Sequence, residues 1–313
     1  MENTNTSYII AIDIAKDSLR VQTRDRTFDL TNDKRGFTIL AKHAAKHDHV
    51  LVVFEATGGY ERPLADYFHA RNIALARINP RQLRAFARSQ GMKAKTDPID
   101  TIMIYRFASQ RNLRPTPAPS PEQRALADLL DRRHQLTSTL ASEKNRTQKY
   151  NGPSRPIAAS LRRQVTSLTK EIARLEDAIR TLIEQSANLK MAVKIMSSVK
   201  GVGEVTAWSI IAYLTEIDQL NRNQLSALVG VAPFNDDSGS SSGRRYIQGG
   251  RAKVRNALYM AAHVAARWNP VIKVYVEGLL ARGKPYKCAI VAAMRKLIIH
   301  IQSLLKKHQI SFA

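Results

Sequence analysis

Acidic side chains stand at four positions where they could do chemistry. Asp13 lies inside one apolar run and Glu55 ends another. Asp97 and Asp100 are three residues apart at the predicted start of a helix, so both can face the same side. A carboxylate within an apolar strand is costly unless a cation, a network of donors or a metal offsets it. Together, the four could form an all-oxygen site of the kind that suits Mg²⁺ or Mn²⁺.

Each of these carboxylates also has a structural interpretation. Thr96 or Asp97 could cap the helix, Pro98 suits a first helical turn, and Asp100 would then stand near its third position. Asp13 alone could equally be a structural aspartate that ordinary donors satisfy. The metal hypothesis therefore depends on the four residues acting together.

The charge of the chain indicates what such a site would act on. Lys and Arg number 49 against 26 Asp and Glu, which gives a formal net charge of +23 and a pI near 10.4. An excess of this size attracts polyanions and is typical of nucleic-acid binding. A phosphodiester is therefore the natural substrate for a metal site in this protein.

Cysteine usage and hydropathy exclude several other classes. Cys288 is the single cysteine, which excludes a disulfide framework and a cysteine-based zinc finger. The polar N-terminus is unlike a signal peptide, and no run approaches the ~18 apolar residues of a membrane span. We expect a cytoplasmic protein that has no membrane partner.

The apolar pattern predicts the strands and helices that would position Asp13 and Glu55. Short apolar and β-branched runs predict strands, and helical spacing predicts helices between them. The combination favours an α/β domain with a mixed sheet and helices on its faces, in which ligands gather beyond the carboxyl ends of the strands. The predicted strands are Tyr8–Ile14, Leu19–Gln22, Thr27–Leu30, Val50–Phe54 and Ile73–Ile78; the predicted helices are Phe37–His47, Arg62–Arg71 and Asp97–Arg111.

A proline-rich linker separates this domain from a helical region. Pro115, Pro117, Pro119 and Pro121 mark the linker. A heptad seam follows, whose partner could be 122–150 of the same chain, with a turn at 151–156, or a second copy. We therefore divide the chain into residues 1–115, a helical coiled-coil region at 116–190, and a mostly helical domain at 191–313. The seam consists of Leu161, Val165, Leu168, Ile172, Leu175, Ile179 and Leu182.

The last region contains two candidate phosphate sites. Gly201 and Gly203 could form the turn of a helix-hairpin-helix and present backbone N–H groups to phosphate, although a plain turn would look the same. The stretch 235–250 predicts a flexible loop, and a serine in it could attack phosphorus once it is activated. Composition does not rank Ser238, Ser240, Ser241 and Ser242. Basic residues that could hold phosphate are Arg244, Arg245, Arg251, Lys253 and Arg255.

Several segments also resemble a known family. The N-terminal ones read AIDIAKDSL, FEATGGY and INPRQLRAFARSQGMKAKTDPIDTIMIYRFA; the C-terminal ones read GVGEVTAWSIIAYL, LSALVGVAPFNDDSGSSSG and GGRAKVRNALYMAAHVAARWNP. They are similar to the DEDD transposases of the IS110 insertion-sequence family, especially its IS1111 subgroup. The resemblance covers nearly the whole chain, and only the heptad region is generic.

The resemblance implies a fold, a site and partners. The first domain would be RuvC-like, with a ribonuclease H-like fold and a metal tetrad at Asp13, Glu55, Asp97 and Asp100. The nucleophile of the family lies in a Ser-Gly pair after an Ala-Pro segment, which corresponds to Ser238. Implied partners are donor and target DNA, a noncoding bridge RNA, and further copies of the chain in dimers and a tetrameric synapse. Lys93 and Lys95, in the segment before the Asp pair, are predicted nucleic-acid contacts.

These observations predict a recombinase that cuts and rejoins DNA through a phosphoserine, with help from a divalent metal. No G-x-x-x-x-G-K-[ST] loop is present, which fits a reaction that needs no ATP. Two alternatives remain open at this point. One is a RuvC-like metal nuclease without serine chemistry, and the other is a non-catalytic nucleic-acid-binding protein.

Overall fold

The computed structural model describes residues 7–56, 58–91, 97–149, 155–234, 237–238, 241–242 and 245–312. For residues 97–99, 155, 237–238 and 241–242 it describes the backbone alone. The chain forms two compact units, Met1–Ala118 and Pro119–Ala313, which divide within the proline-rich segment.

A five-stranded mixed sheet forms the centre of the N-terminal unit, as predicted. The strand order is β3-β2-β1-β4-β5; β1, β2 and β3 pair antiparallel, whereas β4 and β5 run parallel to β1. The last strand begins two residues later than predicted. The N–H of Ile73 donates to the carbonyl of Phe68, near the end of the preceding helix, and so is not available to a neighbouring strand. The strands are β1 (Tyr8–Ile14), β2 (Ser18–Gln22), β3 (Thr27–Thr31), β4 (Val50–Glu55) and β5 (Leu75–Ile78).

Helices cover both faces of this sheet. The first helix begins three residues earlier than predicted, because the side chain of Asp33 caps it by accepting from the N–H of Gly36 at 2.9 Å. One face of the sheet packs against α1 and α2, and the other against α3 and α4. The helices are α1 (Lys34–Ala44), α2 (Arg62–His69), α3 (Pro80–Ser89) and α4 (Asp97–Ser109).

The C-terminal unit is largely helical, as predicted. Its described helices are α5 (Pro121–Lys149), α6 (Arg155–Glu184), α7 (Ala187–Ser197), α8 (Glu204–Tyr213), α9 (Arg222–Val229), α10 (Ala252–Trp268), α11 (Pro270–Ala281) and α12 (Tyr286–Lys307). Short strands interrupt them: β6 (Pro233–Phe234), β7 (Asp237–Ser238), β8 (Ser241–Ser242) and β9 (Tyr246–Ile247). Among the described helices, α12 has the length and apolar character of a membrane span, and half of that stretch is buried inside the protein.

The heptad seam packs against another helix of the same chain. Helix α6 packs along α5, and the guanidinium of Arg133 on α5 contacts Glu176 on α6 at 2.6 Å. Ile179 of the seam is fully buried, and the other six seam residues are half-buried. The intrachain partner at 122–150 is therefore present, while the predicted turn lies mostly outside the described residues.

Helix α5 also belongs to the core of the C-terminal unit. Leu126 and Leu130 are fully buried in the same apolar cluster as Trp208 and Ile211 of α8. The helix pair is thus joined to the C-terminal helices by a shared core rather than by a linker.

Replacing Leu130 by Ala tests this shared core. Removing a fully buried leucine leaves a cavity, so the free energy of unfolding should fall by about 2–5 kcal/mol. Scanning calorimetry should show one transition of the C-terminal unit moving to lower temperature. Lys144→Ala, on an exposed position of the same helix, serves as the control. A separate transition of the helix pair that moved alone would contradict the shared core.

Candidate active site

The pairing of β1 with β4 places two of the predicted carboxylates side by side. Ile12 is the partner of Phe54 in this parallel ladder, so Asp13 and Glu55 occupy the next position on each strand. Both side chains are half-buried. Because neighbouring strands are about 4.8 Å apart, the mutual repulsion of the two carboxylates requires nearby positive charge, from side chains or from a metal ion.

The two carboxylates also share a face of the sheet with α4. Side chains alternate along a strand, so Asp13 follows Ala11, and Glu55 follows Val53, onto the face where Ala11 and Val53 pack. Met103 and other residues of α4 complete that cluster. The helix whose first turn carries the Asp97 and Asp100 pair therefore covers the face from which the strand carboxylates project.

The structure describes the side chains of three of the four predicted metal ligands. The side chain of Asp100 is half-buried, whereas that of Asp97 lies outside the described part, as does the capping alternative at Thr96. Among the side chains that the structure describes, no three His, Cys, Asp or Glu groups stand together as metal ligands. The structure thus brings Asp13 and Glu55 together, while the joint site of all four remains a prediction.

An arginine on β2 supplies positive charge beside the first carboxylate. Arg20 is the cross-strand partner of Asp13 and also of Asp29 on β3. Its guanidinium lies 3.6 Å from the Asp29 carboxylate. The same row of the sheet therefore carries Asp29, Arg20, Asp13 and Glu55 in order, with the arginine between acidic neighbours.

Hydrogen bonds hold together the loops at this edge of the sheet. The Asn32 side-chain amide donates to the carbonyls of Ala15 at 2.8 Å, Lys16 at 3.3 Å and Tyr60 at 3.2 Å. It thereby joins the end of β3 to the loops that follow β1 and β4. Glu61, a buried carboxylate that the sequence analysis did not single out, accepts from the N–H of Gly59 at 2.8 Å.

Short paired strands lie within the serine segment, for which composition predicted a flexible loop. Strand β6 pairs antiparallel with β9, and β7 pairs antiparallel with β8, while residues 235–236, 239–240 and 243–244 lie outside the described residues. Ser238 is the partner of Ser241, in the last pair before residues 239 and 240. The sequence pattern concealed this because serine and glycine are poor strand formers.

Close contacts between glycines fix the two feet of this hairpin. A Cβ on Gly250 would lie 2.5 Å from the Cα of Gly230, and one on Gly230 would lie 2.4 Å from the carbonyl oxygen of Gly249. All three have positive φ, between 69° and 78°, which also favours glycine. The end of α9 and the segment before α10 therefore touch backbone to backbone.

Three predicted phosphate ligands have partners within the protein. The Arg251 guanidinium donates to both carboxylate oxygens of Glu216 and to the carbonyl of Tyr213. The ammonium of Lys253 contacts Asp131, and Arg255 donates to the carbonyl of Gly249. These contacts hold the hairpin feet on the helical body, which the arginine-rich pattern did not reveal. Arg245 is exposed; Arg244, Lys93 and Lys95 lie outside the described residues.

The glycine turn between α7 and α8 is also explained by packing. Gly201 has φ of 104°, and a Cβ there would lie 2.6 Å from Cβ of Ala265 on α10. Gly203 precedes α8, where Glu204 is held by Arg180 at 3.2 Å. A carboxylate already stands at this helix N-terminus, which weakens it as a phosphate site.

Two family models match successive parts of the chain. The model for the DEDD transposase of the IS110 family, described as a transposase, matches residues 10–150. A second model, described as the transposase IS116/IS110/IS902 family, matches residues 193–277.

Curated relatives extend the similarity over nearly the full length. Pilin gene-inverting proteins of Moraxella lacunata and Moraxella bovis are each 24% identical over 312 residues, which cover 96% of this chain and 96% of each relative. An uncharacterized 43.6 kDa protein of insertion element IS110 from Streptomyces coelicolor is 23% identical over 191 residues, covering 60% of this chain and 44% of that protein.

These matches establish a DNA transposase or recombinase, an enzyme whose substrates are DNA. The chain belongs to the IS110 family of transposases. The DEDD type of its N-terminal half implies dependence on a divalent metal. The non-catalytic alternative is therefore wrong.

The ion pair at the hairpin foot yields a prediction about pH. Burial raises the pKa of Glu216, but the hydrogen bonds and charge of Arg251 outweigh it, so the pKa lies below its usual value. The lowered pKa makes the pair stabilising above the unfolded pKa of about 4.3, and this stabilisation is lost as pH falls through the folded value.

Glu216→Gln should therefore lower the free energy of unfolding by about 3 kcal/mol at pH 7. The difference from wild type should shrink as the pH falls below about 4. Thermal unfolding followed by circular dichroism at several pH values measures both effects. Glu277→Gln, which alters an exposed pair with Lys273, is the matched control. A loss of stability that did not depend on pH would show that Glu216 acts through shape and not charge.

Proposed function

We propose that this transposase cuts and rejoins DNA through a phosphoserine at Ser238, with a divalent ion held by Asp13, Glu55, Asp97 and Asp100. Both parts of the machinery would meet in one composite site, formed within a chain or between copies. The observation that carries the proposal is the parallel register that pairs Asp13 with Glu55 on the face covered by α4.

The strand order supports a RuvC-like, ribonuclease H-like assignment for the metal half. An antiparallel hairpin precedes the parallel β4 and β5, and helices lie on both faces of the sheet. The donor set is entirely carboxylate oxygen, which suits Mg²⁺ or Mn²⁺. A bound ion would stabilise charge that develops on a phosphate in the transition state.

The hairpin supports the serine half of the proposal. A nucleophile must be held within a fraction of an ångström of its productive position. Ser238 lies in a paired strand whose feet are fixed by Gly230, Gly249 and Gly250. Of the basic residues, exposed Arg245 is the one that we assign to the scissile phosphate.

The reaction that we propose exchanges one phosphodiester for another. The Ser238 hydroxyl oxygen attacks phosphorus, the bond from phosphorus to the leaving deoxyribose oxygen breaks, and the serine proton passes to solvent as the leaving oxygen takes up a proton. A hydroxyl of a second DNA end then attacks the phosphoserine and releases Ser238, which regains its proton. The bond energy is kept in the covalent link, so no ATP is consumed.

Sequence choice and assembly belong to the same proposal. The net charge of +23 fits contacts to nucleic-acid backbone. A noncoding bridge RNA would then select donor and target DNA by base pairing. The half-buried seam residues of α6 would form part of a contact between copies of the chain. In this scheme residues 1–115 hold the metal, 116–190 hold the partner copy, and 191–313 hold the nucleophile.

Replacing Ser238 by Ala tests the covalent step. The variant should lose cleavage and rejoining entirely, because no other group would form the link. Wild-type protein is incubated with Mg²⁺, the RNA and labelled DNA, denatured, and digested, and the DNA-linked peptide is identified by mass spectrometry. Ser241→Ala and Ser242→Ala, in the partner strand, are controls that should still form the link. Continued cleavage by Ser238→Ala without any link would favour a hydrolytic nuclease.

The metal half is tested by Asp13→Asn. This change keeps the shape of the side chain but removes its charge, and should slow DNA cleavage by about 100-fold or more. Calorimetric titration with Mg²⁺ or Mn²⁺ should show a matching loss of the binding heat. Asp29→Asn, on the exposed β3 in the same row of the sheet, is the control. Equal cleavage rates for Asp13→Asn and wild type would contradict the metal site.

A further inference from the structure

Two aromatic side chains stand exposed at the base of the serine hairpin. Phe234 and Tyr246 are cross-strand partners in the β6–β9 pair. They are 40% and 48% exposed, respectively. Neither ring stacks on another ring or on a cation among the described residues. Two adjacent exposed aromatic rings offer a surface on which a flat ligand can stack.

The position of the pair relates it to the proposed nucleophile. Phe234 precedes Ser238 by four residues in the sequence, and four residues of chain reach at most about 14 Å. This is the length of about four nucleotides at 3.4 Å each along one strand. A DNA strand whose phosphate reached Ser238 would therefore have its neighbouring nucleotides within reach of Phe234 and Tyr246.

The charge around the pair fits the same partner. Exposed Arg245 stands next to Tyr246 in the sequence. A guanidinium that binds backbone phosphate beside aromatic rings that stack on bases is the combination found in single-strand binding sites. The net charge of +23 on the chain favours nucleic acid over a protein as the partner of this surface.

We infer that Phe234 and Tyr246 form a stacking platform for an unpaired DNA base within a few nucleotides of the scissile phosphate. This inference rests on the proposed function. Exchange of strands requires bases near the break to leave their old partners, and an aromatic face stabilises a base in that unpaired state. Stacking tolerates any base, so the platform would leave sequence choice to other contacts.

Photocrosslinking locates the platform directly. The full-length Ser238→Ala protein, assembled with RNA and DNA, holds the DNA before the break; 5-iodouracil is placed at successive positions around the cleavage site and irradiated. The crosslinked peptides should contain Phe234 or Tyr246, from one or two DNA positions only. Crosslinks at other residues from every DNA position, or at these two residues from substituted RNA alone, would overturn the inference.

Substitution measures the contribution of the platform. Replacing both Phe234 and Tyr246 by Ala should weaken binding to DNA with unpaired nucleotides at the break by about 5- to 100-fold, with little change for intact duplex. Tyr246→Phe should bind normally, because the ring and not the hydroxyl makes the contact. Trp268→Ala, an exposed aromatic side chain on α10, is the control.

The outcomes separate the platform from the serine chemistry. Cleavage by Ser238→Ala would refute the phosphoserine while leaving the crosslinks to report on the platform. Equal weakening for duplex and unpaired DNA would show that the two rings stabilise the hairpin instead of stacking on a base.

Discussion

Parallel pairing of β1 with β4 is the constraint on which the rest of the site depends. The ladder aligns Ile12 with Phe54, so Asp13 and Glu55 take the next position on two neighbouring strands, whose backbones are about 4.8 Å apart, and face the same side of the sheet. An arrangement of like charges is unfavourable unless positive charge stands beside it. Arg20, the cross-strand partner of Asp13, provides positive charge on one side of the two carboxylates. The family to which the chain belongs implies a divalent ion as a second source. The Asn32 hydrogen bonds to the adjoining loops and the packing of α4 keep this edge in one geometry.

In the C-terminal unit, the serine hairpin is also held in place by contacts with other parts of the unit. A hairpin of weak strand formers would be mobile if it were anchored by its own ladder alone. Instead, its feet meet where Gly230 touches Gly250, and Arg251 ties the same place to Glu216 on the helical body. These contacts thus lie at the base of the hairpin, while the rings of Phe234 and Tyr246 are exposed. Of the basic residues in this stretch, Arg251, Lys253 and Arg255 have partners within the protein, whereas Arg245 is exposed.

Much of the fold follows from the sequence because β1 and β4 are continuous apolar runs and α6 has heptad spacing. The start of α1 was predicted too late because the apolar pattern does not determine it. The helix begins where the side chain of Asp33 caps it. The serine hairpin was missed because its pairing depends on anchored feet and not on strand propensity. From the sequence alone, Arg251 was predicted to bind phosphate. The sequence pattern does not show that its guanidinium binds Glu216, which lies 35 residues earlier in the chain. Of the site itself, the paired carboxylates could be foreseen from two buried strand ends, but the exposed aromatic pair could not.

We propose that the divalent ion held by Asp13 and Glu55 lies near Ser238, of the same chain or of another copy, when DNA is bound. Fe²⁺ substituted for Mg²⁺ in the assembled complex, with ascorbate and peroxide, releases hydroxyl radicals that cut polypeptide near the ion. We predict cuts beside Asp13 and Glu55, at the start of α4, and also within residues 233–247, with the last set appearing only when DNA is present. Cuts confined to the N-terminal unit in the DNA complex would contradict a composite site.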